Sequence, residues 1–372
     1  MSEIDLARKN IEQIDKKIAS LFEERMESVK VIGEYKRNNG LPVLDEEREK
    51  ALVERNVGYI TNPDMEAYYR DFMRSMMSIS KRYQHRLLSG IRVAYSGIEG
   101  SFASISCRKL FPNAEKVSCM NFAEAYQKVC AGKCDFAVLP IENSYAGEVG
   151  QVLDLIFDGE LFVNGVYELG ISHCLLGVEG SSVDTINTVV SHPQALEQCD
   201  EYIYSHKFHT IQAENTARAA KGVSDNKDVT VGAIASQETA ELYGLKVLEH
   251  SINKSNINVT RFAVLSKGNS ALSNDKHKLL DFSSDHNTFI MMFIVKHEAG
   301  TLANALSIIG EYGYNMRVIR SRPLKEKNWQ YYFYAEIEGD ISTEAGEKML
   351  NALGEYCEAL KVVGSYKPDV RI

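Results

Sequence analysis

The sequence predicts three parts in series: an all-α segment over residues 1–90, an α/β segment over 91–267, and a small α+β module over 287–372, with 268–286 as a polar linker. Three observations carry this. In the first segment apolar residues recur every three or four positions, and glycine and proline are sparse. In the second, apolar runs of strand length alternate with helical stretches, the pattern of a largely parallel sheet covered by helices. The last reads βαββαβ, the ferredoxin-like order.

Composition narrows the function classes. A chain of 372 residues with 44% hydrophobic and 25% charged residues is ordinary for a globular protein of two or three domains. A net charge of −9 disfavours nucleic acid and anionic membrane as partners. No apolar run approaches the ~20 residues of a membrane span. The acidic start, Met-Ser-Glu-Ile-Asp, lacks a secretory signal, so a cytoplasmic location is expected. Seven scattered cysteines, with Cys130 and Cys134 unsupported by a second pair or a nearby His, read as reduced thiols rather than a metal site. No metal, phosphate or nucleotide motif is visible, so no cofactor is expected.

The helical segment opens with Ile4, Ile11, Ile14, Ile18, Leu21, Phe22, Val29 and Ile32, which predict one amphipathic helix over about 3–38. At ~50 Å it is longer than a domain of this size needs, so a partner chain is expected to cover it. Arg8, Arg25 and Lys36 fall on the apolar stripe. Cations there need an anionic partner or a route to water. Arg8 and Arg25 lie about 25 Å apart along the axis. One helix cannot bring both to one small ligand, but an antiparallel dimer could. Asp45 caps a second helix that fades at Gly58, and Pro63-Asp64 starts a third to about Leu88. On that third helix Ser80 and Gln84 are one turn apart and point the same way.

Arg8, Arg25, Lys36, Asp45-x-x-Arg48-Glu49 and Ser80-x-x-x-Gln84 together resemble the active-site set of the all-helical chorismate mutases. The resemblance implies three helices in an intertwined dimer, each site taking Arg8 from the partner chain. It implies that Arg8 and Arg25 bind carboxylates of chorismate. Lys36 and Gln84 would donate to the ether oxygen, Glu49 would accept from the ring hydroxyl, and Asp45, Arg48 and Ser80 would orient the substrate. A pericyclic rearrangement needs only such positioning and charge stabilisation.

In the α/β segment, strands are expected at Ile91–Tyr95, Asp135–Ile141, Asn164–Gly177, Thr188–Ser191, His209–Ala213, Val229–Ala235 and Asn258–Leu265. Helices are expected from Phe102 to about Phe111, over Phe122–Ala131 and over Glu148–Phe157. Polar clusters recur at strand ends: Gly97 to Ser101, Glu142-Asn143, Ser191-His192-Pro193-Gln194, Asn215-Thr216 and Thr260-Arg261-Phe262. Ligands of open α/β sheets sit at such ends. Glu142-Asn143 alone reads equally as a capped turn or a site, and His192 alone reads as structural.

Pro140-Ile141-Glu142-Asn143, Ser191-His192-Pro193-Gln194, Leu242-Tyr243-Gly244-Leu245 and Asn258-x-Thr260-Arg261-Phe262 resemble, in order, the motifs of the prephenate dehydratases. That implies two lobes similar to periplasmic binding proteins, with prephenate in the cleft. Ile98 and Ala103 stand where that family usually has Pro and Ser. Ring hydroxyl and carbon dioxide leave together, so the reaction needs an acid near the hydroxyl and an anion site. The resemblance puts Thr260 at the leaving hydroxyl. Glu142 is either a raised-pKa acid or a structural acceptor, and Arg261 either steers a carboxylate or braces the cleft.

In the last part, strands are expected at Thr288–Lys296, Tyr314–Ser321, Trp329–Glu338 and Leu360–Tyr366, and helices at Leu302–Tyr312 and Ser342–Cys357. Gly300-Thr301-Leu302 and Ser321-Arg322-Pro323 resemble the motifs of phenylalanine-binding ACT domains, with Arg320 where the motif has Glu. Along nearly its whole length the chain is similar to the bifunctional chorismate mutase–prephenate dehydratases under phenylalanine control. That resemblance implies a homodimer or higher homo-oligomer binding chorismate, prephenate and phenylalanine. Two other readings stand beside it: a dehydratase with a non-catalytic helical dimerisation domain, and a non-enzymatic amino-acid sensor.

Overall fold

Three helices build one unit of the computed structural model, Met1–Arg92, and a mixed α/β body builds the other, Val93–Ile372. The structure describes residues 2–39, 46–254, 257–268, 287–325 and 329–372, without the side chains of 37–38, 46–49, 82 and 85–89. Asp45, the side chains of Arg48 and Glu49, and nearly all of the expected linker therefore lie outside the described residues.

In the first unit α1 spans Glu3–Asn38, α2 Glu46–Val57 and α3 Glu66–Ser89. The Asn62 side chain accepts from the Asp64 N–H at 3.1 Å and starts the 3-10 turn that leads into α3. Both α1 and α2 pack on α3. Val53, Val57 and Met73 form the buried cluster between α2 and α3, and Val29 is buried on α1. The first half of α1 is different: Ile4, Ile11, Ile14, Ile18 and Leu21 are 45–63% exposed. The apolar stripe read from the sequence is present, and its N-terminal half is uncovered by the described residues of its own unit.

The second unit begins with β1 (Arg92–Ser96), α4 (Phe102–Leu110), β2 (Glu115–Cys119), α5 (Phe122–Cys130), β3 (Phe136–Asn143), β4 (Gly147–Glu148), α6 (Gly150–Asp158) and β5 (Phe162–Gly170). A second lobe follows: β6 (Cys174–Gly177), β7 (Thr188–Ser191), α7 (Pro193–Gln198), α8 (Asp200–Ser205), β8 (His209–Gln212), α9 (Thr216–Asn226), β9 (Val231–Ala235), α10 (Gln237–Tyr243) and β10 (Lys246–Glu249). Then β11 (Val259–Ser266) returns to the first sheet between β3 and β5.

The run expected as one strand, Asn164–Gly177, is therefore two strands in two sheets, broken at Ile171–His173 where the chain crosses between lobes. The break falls at Gly170-Ile171-Ser172-His173, between two largely buried strands. Nor are the sheets largely parallel. In the first, β11 runs antiparallel to both β3 and β5. In the second, β6 runs antiparallel to β9 and β10. The strands flanking each crossover must return in the opposite sense.

Thr288–Val295 (β12), Thr301–Glu311 (α11), Asn315–Pro323 (β13), Tyr331–Glu338 (β14), Glu344–Leu353 (α12) and Cys357–Tyr366 (β15) make the four-stranded module, ordered β13-β14-β12-β15. Its sheet is covered on both faces. Phe289, Met291, Phe293, Ala335 and Ile337 pack on α11 and α12. Ile290, Met292, Tyr332, Tyr334 and Tyr366 join the core of the first lobe. A last strand, β16 (Val370–Arg371), adds to the edge of β5.

Candidate active sites

Arg25 organises the helical unit. Its guanidinium donates to Ser80 Oγ at 2.5 Å and to the Met77 sulfur at 3.5 Å. Ser80 in turn donates to the Met76 carbonyl at 2.8 Å, which fixes its hydroxyl. Gln84, one turn on, donates to the Val29 carbonyl at 3.2 Å and packs against Gly33. The i, i+4 spacing on α3 and the α1–α3 contact thus bring Arg25, Ser80 and Gln84 together. Arg25 is half-buried, and burial lowers its pKa. Among the described residues no carboxylate pairs with it. Lys36 is half-buried near the end of α1, whereas Arg8 is exposed on the uncovered half.

In the second unit residues of both lobes line a half-open cavity of about 240 Å³. Thr260 reaches it from β11, Phe102 from α4, His173 from the crossover, His192 and Gln194 from the start of α7, and Thr216 from the start of α9. The lobes also meet through two hydrogen bonds to the turn before α4. Thr239 Oγ1 donates to the Gly100 carbonyl at 2.8 Å, and the Tyr243 hydroxyl to that of Glu99 at 2.7 Å. Gly100 has φ +88°, and a Cβ there would sit 3.1 Å from Leu242, so this turn and this closure require glycine.

Asn143 is the hub. Its Oδ1 accepts from the Tyr145 and Ala146 N–H groups at 3.0 and 2.9 Å, closing the hairpin between β3 and β4. It also accepts from Gln194 Nε2 of the other lobe at 3.2 Å. Its Nδ2 donates to Thr260 Oγ1 at 2.9 Å and Asn258 Oδ1 at 2.9 Å. Because Thr260 Oγ1 accepts from this amide, its own proton is free to point into the cavity. The turn read from the sequence is thus the end of a strand: Glu142 and Asn143 belong to β3, and α6 starts only at Gly150.

Alternation then separates the motif residues. Thr260 lines the cavity and Asn143, on the same side of the sheet, bonds to its lining residues Thr260 and Gln194, while their neighbours Arg261 and Glu142, paired in register, face the C-terminal module. The Glu142 carboxylate binds Arg261 at 3.0 Å and also Arg320. Arg261 makes a bidentate pair with Glu336, both contacts 2.8 Å, and Tyr334 and Tyr366 donate to the same carboxylate. Burial alone would raise the Glu336 pKa, but Arg261 and the two hydroxyls hold it below the usual carboxylate range. Glu142 thus accepts from two arginines and Arg261 bridges Glu142 and Glu336; neither is among the residues that line the cavity. Ser191 is also absent from it: wholly buried, it donates to the Ile234 carbonyl at 2.6 Å and ties β7 to β9. Phe262 lies in the core.

His192 caps α7, its Nδ1 accepting from the Gln194 N–H at 3.3 Å. Burial lowers its pKa, so at neutral pH the ring is uncharged and Nε2 carries the proton. The sequence reading missed His173 and Gln198. His173 Nε2 pairs with Gln198 Oε1 at 2.9 Å, and the same oxygen accepts from Asn258 at 2.9 Å. His173 Nδ1 and Gln198 Nε2 are buried without a partner at the cavity wall. Gln198 was findable, since it lies one helical turn past Gln194; His173 carried no local signal. Among the described residues no three His, Cys, Asp or Glu side chains are grouped to hold a metal ion. Likewise, no helix is long and apolar enough to cross a membrane.

In the C-terminal module Gly300 caps α11 with φ +83°, Thr301 Oγ1 donates to the Glu298 carbonyl at 2.8 Å, and Leu302 packs on the helix-side core. Ser321 shares that face of the sheet. Arg322 faces the other way and pairs with Glu148 and Asp154 of the first lobe.

Two families match the chain: chorismate mutase type II over residues 7–85 and prephenate dehydratase over 93–270. A bifunctional chorismate mutase/prephenate dehydratase of Escherichia coli strain K12 is 30% identical, covering 97% of this chain and 95% of that protein. Two solved structures are alike over 74% of this chain. One, described as a novel type of quorum quenching acylase, is 27% identical over 98% of that chain with TM-score 0.67. The other, Arthrobacter aurescens prephenate dehydratase in complex with L-Phe, is 25% identical over 89% of that chain with TM-score 0.66. A shared fold does not decide chemistry; the relative matched over nearly the whole chain carries more.

Proposed function

The chain belongs to the bifunctional chorismate mutase/prephenate dehydratases, enzymes of phenylalanine biosynthesis, and we propose which of its side chains carry each reaction. In the helical unit Arg25, held by Ser80, binds a chorismate carboxylate. Gln84 and Lys36 act at the ether oxygen; the parts of Glu49, Arg48 and Asp45 rest on the sequence resemblance alone. A half-buried guanidinium with no described carboxylate beside it supports this reading, because such a cation suits an anionic ligand. The exposed isoleucine stripe on α1 supports a dimer in which a second copy covers the stripe and supplies Arg8.

In the second unit Thr260 passes a proton to the ring hydroxyl of prephenate, which leaves as water while the ring carboxylate leaves as carbon dioxide and its bonding electrons aromatise the ring; solvent restores the threonine proton, and Asn143 fixes the threonine rotor. The observation that carries this is the 2.9 Å contact from Asn143 Nδ2 to Thr260 Oγ1 at the cavity wall. Neutral His192, Gln194 and Thr216 offer hydrogen bonds from the opposite lobe. Aromatisation supplies the driving force, so placement of one proton donor in the cleft between the lobes is the enzyme's main task. The module over 287–372 is an ACT domain that binds phenylalanine near Gly300–Leu302 and Ser321 and feeds back on turnover. The L-Phe complex of the Arthrobacter relative supports that assignment. Incubation with chorismate should give prephenate and then phenylpyruvate, with the second step suppressed by phenylalanine. A protein inactive on chorismate yet active on prephenate would reduce the helical unit to a dimerisation domain.

A further inference from the structure

Successive side chains of β13 point to opposite faces of the sheet. Ile319 and Ser321 pair with Ala335 and Phe333 and share the face that packs on the two helices. Arg320 and Arg322 pair with Tyr334 and Tyr332 and share the face against the first lobe. There Arg320 pairs with Glu142, and its Nε lies 3.9 Å from Glu148. Arg322 reaches both Glu148 and Asp154 at 3.2 Å. Glu142 and Glu148 are register partners across the β3–β4 hairpin, whose apex Asn143 closes. So two arginines of the C-terminal module grip both arms of the hairpin that carries Asn143, and Asn143 holds Thr260.

The grip is well enough shielded to matter. Arg320, Arg322, Glu142 and Glu148 side chains are only 22–28% exposed. Gly150 is part of it, because a Cβ at that position would overlap the Arg322 guanidinium. Arg320 stands where phenylalanine-binding ACT motifs have Glu. A Glu there would set a third carboxylate against Glu142 and Glu148, so in this chain the arginine creates the contact rather than conserving one.

We propose that Arg320 and Arg322 are positioning residues for the dehydratase: through Glu142 and Glu148 they set the hairpin, hence Asn143 and Thr260, and a ligand on the Ser321 face of β13 acts on turnover through this clamp. The second half rests on the phenylalanine reading above. It ties adjacent residues of three strands into one path, with one residue of each pair facing a ligand site and the other facing the clamp.

The test uses the full chain with Arg320→Gln, Arg320→Lys and Gly150→Ala. Dehydratase kcat and KM, L-phenylalanine binding by calorimetry, and inhibition by L-phenylalanine are measured, with the mutase rate as internal control. Arg320→Gln and Gly150→Ala should lower kcat at least about 5-fold with KM within about 2-fold. Phenylalanine should still bind within about 2-fold of wild type, while its effect on turnover falls about 5-fold or more, the low end of ordinary coupling factors. Arg320→Lys should restore part of both. Wild-type kcat and inhibition in both Arg320→Gln and Gly150→Ala would overturn the proposal, as would lost stability with neither quantity moved. If wild type binds no phenylalanine, the feedback reading fails on its own, and unchanged kcat in the variants then overturns the positioning role.

Discussion

Glu336→Ala removes the carboxylate at the centre of the joint between the C-terminal module and the first lobe. Its side chain is 2% exposed and accepts from Arg261 twice at 2.8 Å, from Tyr334 at 2.7 Å and from Tyr366 at 2.5 Å. Breaking one partner out of a buried pair costs about 3–5 kcal/mol, chiefly because the other charge is left unpaired. Here Arg261 keeps Glu142 at 3.0 Å, which places the loss at the low end of that range. About 3 kcal/mol corresponds to a fall of roughly 5 °C in Tm for the unit Val93–Ile372, from an unfolding entropy of about 2.1 cal/mol/K per residue. Glu336→Gln keeps an oxygen for the tyrosines and should lose only about 1 kcal/mol, the worth of ordinary hydrogen bonds. Calorimetry on the full chain resolves the second unit's transition from that of the helical unit. A shift under about 2 °C for Glu336→Ala, or equal shifts for both variants, would refute the reasoning.

The same carboxylate sets a pH dependence: its folded pKa is lowered, so its stabilisation is complete above the unfolded value of about 4.3 and is lost as pH falls through the folded value. The Tm gap between wild type and Glu336→Gln should therefore narrow from about pH 5 downward. Mixing Arg8→Ala and Arg25→Ala proteins, each inactive as a mutase, should recover about a quarter of wild-type mutase activity, since half the dimers are mixed and one of their two sites is intact; no recovery means Arg8 does not cross between chains. Thr260→Ala should lower dehydratase kcat by about 10²–10⁴-fold with little change in KM and none in mutase rate, and near-normal turnover removes the assignment. In native protein at pH 8 a thiol reagent should find Cys130 first, because the other six cysteines are buried and burial pushes Cys107 and Cys199 up to about 12; rapid loss of several thiols would contradict the described core.

Local patterning determined a great deal. The three-residue and four-residue steps from Ile4 to Ile32 gave α1 its length, the Ser80–Gln84 spacing gave those two side chains one direction, and the βαββαβ order gave the C-terminal sheet. These are short-range properties: periodicity fixes an element and its apolar face before any long-range contact forms. The site residues Asn143, His192, Gln194, Thr216 and Thr260 were legible for the same reason, because polar clusters at strand ends stand out against apolar runs.

What the sequence left undecided depended on partners distant along the chain. Glu142 and Asn143 are adjacent, as are Arg261 and Thr260, and only their pairing in the sheet shows that one of each lies on the cavity side and the other faces the C-terminal module. A strand-like stretch such as 164–177 cannot say where a chain leaves one sheet for another, since both of its strands are largely buried. His173 had no motif around it; its place at the cavity wall came from Gln198, twenty-five residues on, and from Asn258 beyond that. The sequence marked a set of residues able to carry chemistry. The tertiary structure decided which way each of them points, because a strand offers two faces and only its neighbours choose between them.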